Sequence, residues 1–152
     1  MKIIVDTNIV FSAMLNSNSK IAKILLQPNK LFQFYSCSYL QLEIQRHHNK
    51  LKKLTKLSSF DLLELEQLVT HNITFINENL LPITLVKQTT LLLKSIDPND
   101  TPFVALTKHL GGKLWTGDLQ LYNGLEAKLY KDILTTTELY LLLKEIDLDK
   151  KY

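Results

Sequence analysis

The sequence predicts a three-layer α/β/α fold with a central parallel β-sheet. Two observations carry this. Short apolar runs alternate along the chain with longer stretches of helical periodicity, and strands separated by helices pair in parallel through right-handed crossovers. The first run, KIIV at 2–5, is apolar without alternation, the pattern of a strand covered on both faces. A chain of 152 residues is expected to form one domain spanning 1–152. It is long enough to bury about 70% of the surface its unfolded state exposes.

The elements follow in order. After the strand 2–5, a helix is expected beyond Asn8 through IVFSAML. SNSKIAKILLQ gives a second helix, with Ile21, Ile24 and Leu25 at helical spacing and Pro28 beyond its end. LFQFYS at 31–36 reads as a strand. From Ser38 the pattern turns helical, with Leu40, Ile44, Leu51 and Leu54 on one stripe. Ser58 and Asp61 form a capping-box pattern for a leucine-rich helix at 60–70. ITFIN at 73–77 is a short strand or extended link, and 83–96 an amphipathic helix. In DPNDTP at 97–102, Thr101 suits an N-cap and Pro102 the first helical position. Gly111 and Gly112 stop that helix. KLWT at 113–116 is a strand, a helix follows Asp118, and residues 132–134 form a last strand. TTTE at 135–138 is a capping box for the closing helix, LYLLLKEI.

Composition narrows the class. Hydrophobic residues make up 45% of the chain, an ordinary globular share. The single cysteine, Cys37, cannot form an internal disulfide and is expected to be a buried thiol in a reducing compartment. No segment approaches the roughly 20 apolar residues of a membrane span, and the first apolar run is too short for a secretory leader. A cytoplasmic protein with no membrane partner is therefore expected. The net charge of +3 is a mild bias toward polyanions.

The acidic residues fall where sites are built. Open parallel sheets bind ligands beyond the carboxyl ends of their strands. Asp6 ends the strand 2–5, and Asp118 lies just past the strand 113–116. Asp100 precedes a helix start, and Glu43 flanks the buried stripe of its helix. Each has an ordinary reading as well. Asp6 and Asp118 can cap helices, Asp97 and Asp100 can shape a turn, and Glu43 can face solvent. Carboxylates converging on one edge repel unless protonated or neutralised by a cation. Such a set, with no thiolate, makes a hard oxygen site suited to Mg²⁺ or Mn²⁺.

Three segments, VDTNIVFSAML, SYLQLEIQRH and DPNDTPFVALTKHLGGKLWTGD, resemble the PIN domain family. These are metal-dependent ribonucleases, and many bacterial members are VapC-like toxins of toxin–antitoxin pairs. The resemblance spans nearly the whole chain. It implies an endoribonuclease that hydrolyses RNA phosphodiester bonds to a 5′-phosphate and a 3′-hydroxyl with Mg²⁺ or Mn²⁺. The family's acidic quartet, both catalytic and metal-binding, would fall on Asp6, Glu43, Asp100 and Asp118. Asn8 and Thr116 would hydrogen-bond the ligands or a water, and Asp97 is a secondary candidate in the same acidic turn. A separately encoded antitoxin and a second copy of the chain are the partners implied beside the RNA. The chain departs from compact members by an extra helical stretch near 46–70.

Residues 46–56, RHHNKLKKLTK, form the densest basic cluster. They continue the helix that carries Glu43, so Arg46, Lys50 and Lys53 are candidate RNA-backbone contacts; the other reading is a solvated helix face. Tyr130, Tyr140 and Tyr152 are expected in packing or an interface rather than stacked on bases. A haloacid dehalogenase-type phosphatase also starts with a strand ending in Asp, but it needs a second Asp two residues on, where this chain has Asn8. A nonenzymatic RNA- or partner-binding PIN-like domain is the remaining alternative.

Overall fold

A computed structural model describes residues 1–27 and 30–149; Pro28 and Tyr152 lie outside the described residues. Five strands, β1 (Lys2–Val5), β2 (Gln33–Cys37), β3 (Ile73–Ile76), β4 (Lys113–Trp115) and β5 (Ile133–Leu134), form one sheet in the order β3-β2-β1-β4-β5. Every pairing is parallel. The helices are α1 (Thr7–Leu15), α2 (Lys20–Leu26), α3 (Ser38–Arg46), α4 (His48–Thr55), α5 (Ser59–Thr70), α6 (Ile83–Leu93), α7 (Thr101–Leu110), α8 (Leu119–Ala127) and α9 (Thr136–Asp149). α1 packs with α2, α3, α4 and α5, and α2 with α9. α7 lies on β1, β2 and β4 and pairs with α6. The result is the expected three-layer α/β/α fold. Among the described residues, no helix is long and apolar enough to cross a membrane.

The central strand explains the continuous apolar run. Ile3 lies between Phe34 and Lys113, and Ile4 between Tyr35 and Leu114. Ile3, Ile4 and Val5 are fully buried. Trp115 is a core residue, as its strand position suggests, and its indole N–H donates to Thr136 Oγ1 at 3.0 Å, so the largest buried side chain leaves no orphan donor. Cys37 is buried, and burial pushes its thiol up to about 12, so it stays protonated and inert.

Strand order places the functional edge. From β1 the chain runs outward to β2 and β3, then returns to lay β4 and β5 on β1's other side. The topology therefore switches between β1 and β4, where open parallel sheets bind ligands at the strands' carboxyl ends. The Asp6 N–H donates to Trp115 O at 3.4 Å, tying the two strand ends together there.

Local signals act largely as expected. Ser58 Oγ accepts the Asp61 N–H at 3.1 Å. At 135–138 the box is reciprocal: Glu138 N–H donates to Thr135 Oγ1 and Thr135 N–H to Glu138 Oε2. Gly111 caps α7 with φ 63°, a left-handed backbone that suits glycine. Gly112 serves close approach instead. A Cβ there would sit 2.6 Å from Ile4 Cδ1 and 2.7 Å from the Lys2 carbonyl oxygen, and the carbonyl cannot yield without moving β1. Gly112→Ala is expected to cost about 1–3 kcal/mol by overpacking, read as a lower denaturation midpoint; an unchanged midpoint would show that β1 and β4 can slide apart freely.

Three expectations need correction. The stretch from Ser38 is two helices, broken at His47 with φ −99° and ψ 13°. The basic cluster beyond Arg46 thus does not continue Glu43's helix. No Gly or Pro marks the break, so periodicity ran through it. After the break Leu51 reaches the core, whereas Leu54, assigned to the same stripe, is exposed. At 97–102 a 3-10 turn, Pro98–Asp100, comes first. Thr101 is then the first residue of α7, and its hydroxyl donates to Pro98 O at 2.7 Å, which moves the cap position onto Asp100.

Candidate functional site

The carboxyl edge at β1 and β4 opens into a cavity of about 190 Å³, lined by Asp6, Thr7, Asn8, Glu43, Asp97, Asn99, Asp100, Phe103 and Asp118. Four elements deliver the acids. β1 ends at Val5, so Asp6 emerges at the edge, 3% exposed. Its Oδ1 accepts the Ile9 N–H at 3.0 Å, capping α1. Asp118 caps α8: its Oδ1 accepts from Gln120 and Leu121 N–H at 2.9 and 3.2 Å. Asp97 starts the 3-10 turn, its Oδ1 accepting the Asn99 N–H at 3.0 Å. The capping readings and the convergence are therefore both true. A helix start fixes these carboxyl groups through one oxygen each.

Glu43 arrives from within α3, the helix that directly follows β2. Its Oε1 accepts the Thr7 hydroxyl at 2.6 Å, which turns the side chain toward β1's end rather than to solvent. Thr7 is a positioning residue that sequence reasoning passed over; its signal is a hydroxyl directly after the strand's terminal carboxylate. Asn99 and Phe103 were missed as well. Both follow from the 3-10 turn, which swings the start of α7 against the cavity. Thr116 does not line the cavity but acts on two of its members: its hydroxyl lowers the Asp6 carboxyl from beside it, and its Oγ1 accepts the Asp118 N–H at 3.0 Å.

Electrostatics records the crowding. Burial pushes the Asp6 carboxyl up to about 6, against the lowering bonds from Thr116 and the Ile9 N–H; the Asp118 and Glu43 charges raise it further. Asp100 is pushed up to about 7, by burial first and then by Asp97, Asp6, Asp118 and Glu43. Its Oδ2 is buried without a hydrogen-bond partner, a costly state for a carboxylate oxygen. Among the described residues, no three His, Cys, Asp or Glu side chains are spaced to hold a metal ion as they stand. The carboxyl groups ring the cavity rather than meet at one point.

The basic candidates lie apart. Arg46, Lys50 and Lys53 are exposed and none lines the cavity. The Arg46 guanidinium stands 6.0 Å from the Tyr39 ring centroid, while Lys50 and Lys53 sit on α4 past the break. Tyr130 packs beneath Lys108 at 5.7 Å with its hydroxyl buried, Tyr140 has Lys20 and Lys144 at 5.1 and 4.9 Å, and neither lines the acidic cavity.

Comparison with known proteins bears on this arrangement directly. A family model of the PIN domain matches residues 4–142, which takes in every carboxylate of the cavity. The chain belongs to the PIN domain family. PIN domains are typically nucleases and generally use divalent metal ions. A chain in the crystal structure of VapBC2 from Rickettsia felis bound to a DNA fragment from their promoter superimposes with a TM-score of 0.67 at 15% identity. The match covers 89% of this chain and 98% of that one. At that identity the likeness is one of fold. No curated protein matches the sequence significantly.

Proposed function

We propose that this PIN domain is a Mg²⁺- or Mn²⁺-dependent endoribonuclease, with Asp6, Glu43, Asp100 and Asp118 as its catalytic and metal-binding carboxylates. The observation that carries the reading is the buried Asp100 Oδ2, without a partner in a cavity that four further acids line. The donors are all oxygen, which fits a hard cation.

A bound cation would supply charge neutralisation at a phosphate oxygen and a more acidic attacking water. The chain's own residues do the rest. Asp6, Asp100 and Asp118 would hold the cation, the first and last fixed by their helix caps. Glu43, oriented by Thr7, accepts a hydrogen bond from the water and aims it at phosphorus. Asn8, exposed at the rim, donates to a phosphate oxygen. Asp97 shapes the turn that presents Asp100. The water oxygen bonds to phosphorus as the bond to the 3′ oxygen breaks, Glu43 taking a proton from the water and solvent returning one to the departing oxygen, which leaves a 5′-phosphate and a 3′-hydroxyl. Arg46, Lys50 and Lys53 attract the strand at longer range.

The fold shared with a VapBC2 chain supports a further part of the reading, that the protein is the toxin of a cytoplasmic toxin–antitoxin pair with a separate protein partner. α9 leaves Leu141 and Leu148 exposed, which supports self-association into a homodimer.

Labelled single-stranded RNA incubated in Mn²⁺, Mg²⁺ or EDTA tests the reading, with Asp6→Asn and Asp118→Asn alongside. Cleavage is expected only with metal and only in the wild type. Cleavage that survives EDTA or both substitutions would leave the carboxylates without a role. Metal-independent RNA binding with no cleavage would favour the nonenzymatic alternative.

A further inference from the structure

A second cavity, of about 320 Å³, adjoins the acidic one along the same sheet edge; Tyr39, Leu81, Val86, Pro98 and Pro102 supply its apolar surface, Asn79 and Asn99 its amides, and Thr101 and Glu78 the rest of its lining. Asn99 lines both cavities. Tyr39 also links them, its ring centroid 6.3 Å from that of Phe103, which walls the acidic cavity. Tyr39 is anchored at the start of α3, where its N–H donates to Glu78 Oε2 at 3.2 Å. Its ring is half-buried.

We propose that this cavity seats one base of a single-stranded RNA, stacked on Tyr39, next to the phosphate that the acidic cavity receives. The proposal rests on the ribonuclease reading for the identity of the strand. Four features point to a base rather than a protein side chain. The cavity lies at the lower end of the size range of small-ligand pockets and has their composition, apolar walls with a few polar groups. The amides of Asn79 and Asn99 can each both donate to and accept from a base edge. Asn99 makes the seat continuous with the phosphate site. Arg46, beside Tyr39, places a cation where the strand's next phosphate would run, and an arginine over an aromatic ring is a common element of single-strand binding surfaces.

The test reads binding, so it does not depend on cleavage. Fluorescent single-stranded RNA oligonucleotides, intact or carrying one abasic position moved along the strand, are titrated into wild type, Tyr39→Phe and Tyr39→Ala in EDTA at low salt. Base stacking predicts about tenfold weaker binding for Tyr39→Ala, little change for Tyr39→Phe, and one abasic position that weakens wild type to the same degree and Tyr39→Ala no further. Thermal denaturation confirms that each variant is folded. Wild-type affinity in folded Tyr39→Ala, or equal losses for intact and abasic strands, overturns the proposal. So does a folded Tyr39→Ala that keeps RNA affinity but loses a protein partner, which would assign the seat to that partner. Failure of the ribonuclease reading would appear separately, as absence of cleavage by a wild type that still discriminates the abasic strand.

Discussion

In EDTA at pH 7.5, Asp6→Asn is expected to unfold at a higher temperature than the wild type, and at pH 4 the difference is expected to vanish. The folded protein raises the Asp6 carboxyl from 3.8 to about 6, mainly through burial. A group raised on folding favours the native state most below its unfolded pKa, where both states are protonated. As pH rises from about 4 through 6, the unfolded chain releases the proton more readily than the folded one, and stability falls. The shift corresponds to on the order of 2–3 kcal/mol at neutral pH, which Asn does not lose because it stays uncharged. Asn also keeps an oxygen for the Ile9 N–H, so the cap survives, and the Thr116 hydroxyl can serve as donor or acceptor. Saturating Mn²⁺ should reverse the order, since only the wild type gains the full binding linkage. The measurement is the midpoint against pH for both proteins, with and without metal. Parallel curves across pH 4–7.5 in EDTA would refute the strain assigned to Asp6.

Most of this site could be read from the chain because its acids are tied to local signals. Asp6 and Asp118 stand where an apolar run meets a helix start, and a strand end followed by a cap has a direction in space as soon as the sheet is parallel. The pairing of β1 with β4 then needs only the topology switch. Residues placed by tertiary contact alone were harder to find. Thr7 matters because Glu43 reaches it from 36 residues away, and no local pattern encodes that bond. Asn99 and Phe103 depend on a 3-10 turn that reads in sequence as an undifferentiated run of turn residues. The break at His47 has no glycine or proline to announce it. It separates Lys50 and Lys53 from Glu43's helix, so the basic cluster's position could not follow from its place in the sequence.

The sharpest separation within the acidic turn is expected between Asp100→Asn and Asp97→Asn. The two residues are neighbours in the same turn, but the structure gives their oxygens different work. Asp97 Oδ1 holds the Asn99 N–H, a bond Asn can replace almost as well. Asp100 makes no side-chain cap to α7, and its Oδ2 is buried with no partner. A carboxyl group pushed up to about 7 by burial and four neighbouring acids is favoured in its neutral form in the metal-free fold, and on the proposed reading a bound cation would hold it ionised. Loss of an outer partner of a metal ligand typically lowers affinity or activity about 10- to 100-fold. On the proposed assignment Asp100→Asn removes a ligand itself, and it is expected to lower metal-dependent RNA cleavage by more than about 100-fold and to abolish the rise in melting temperature expected on adding Mn²⁺. Asp97→Asn is expected to stay within about tenfold of wild type and to keep that rise, because it retains the turn and removes one charge repelling Asp100. Cleavage rates and Mn²⁺ melting shifts for both variants decide the assignment. If Asp97→Asn were the inactive one, the ligand would be Asp97, and Asp100 would be the residue that shapes the turn.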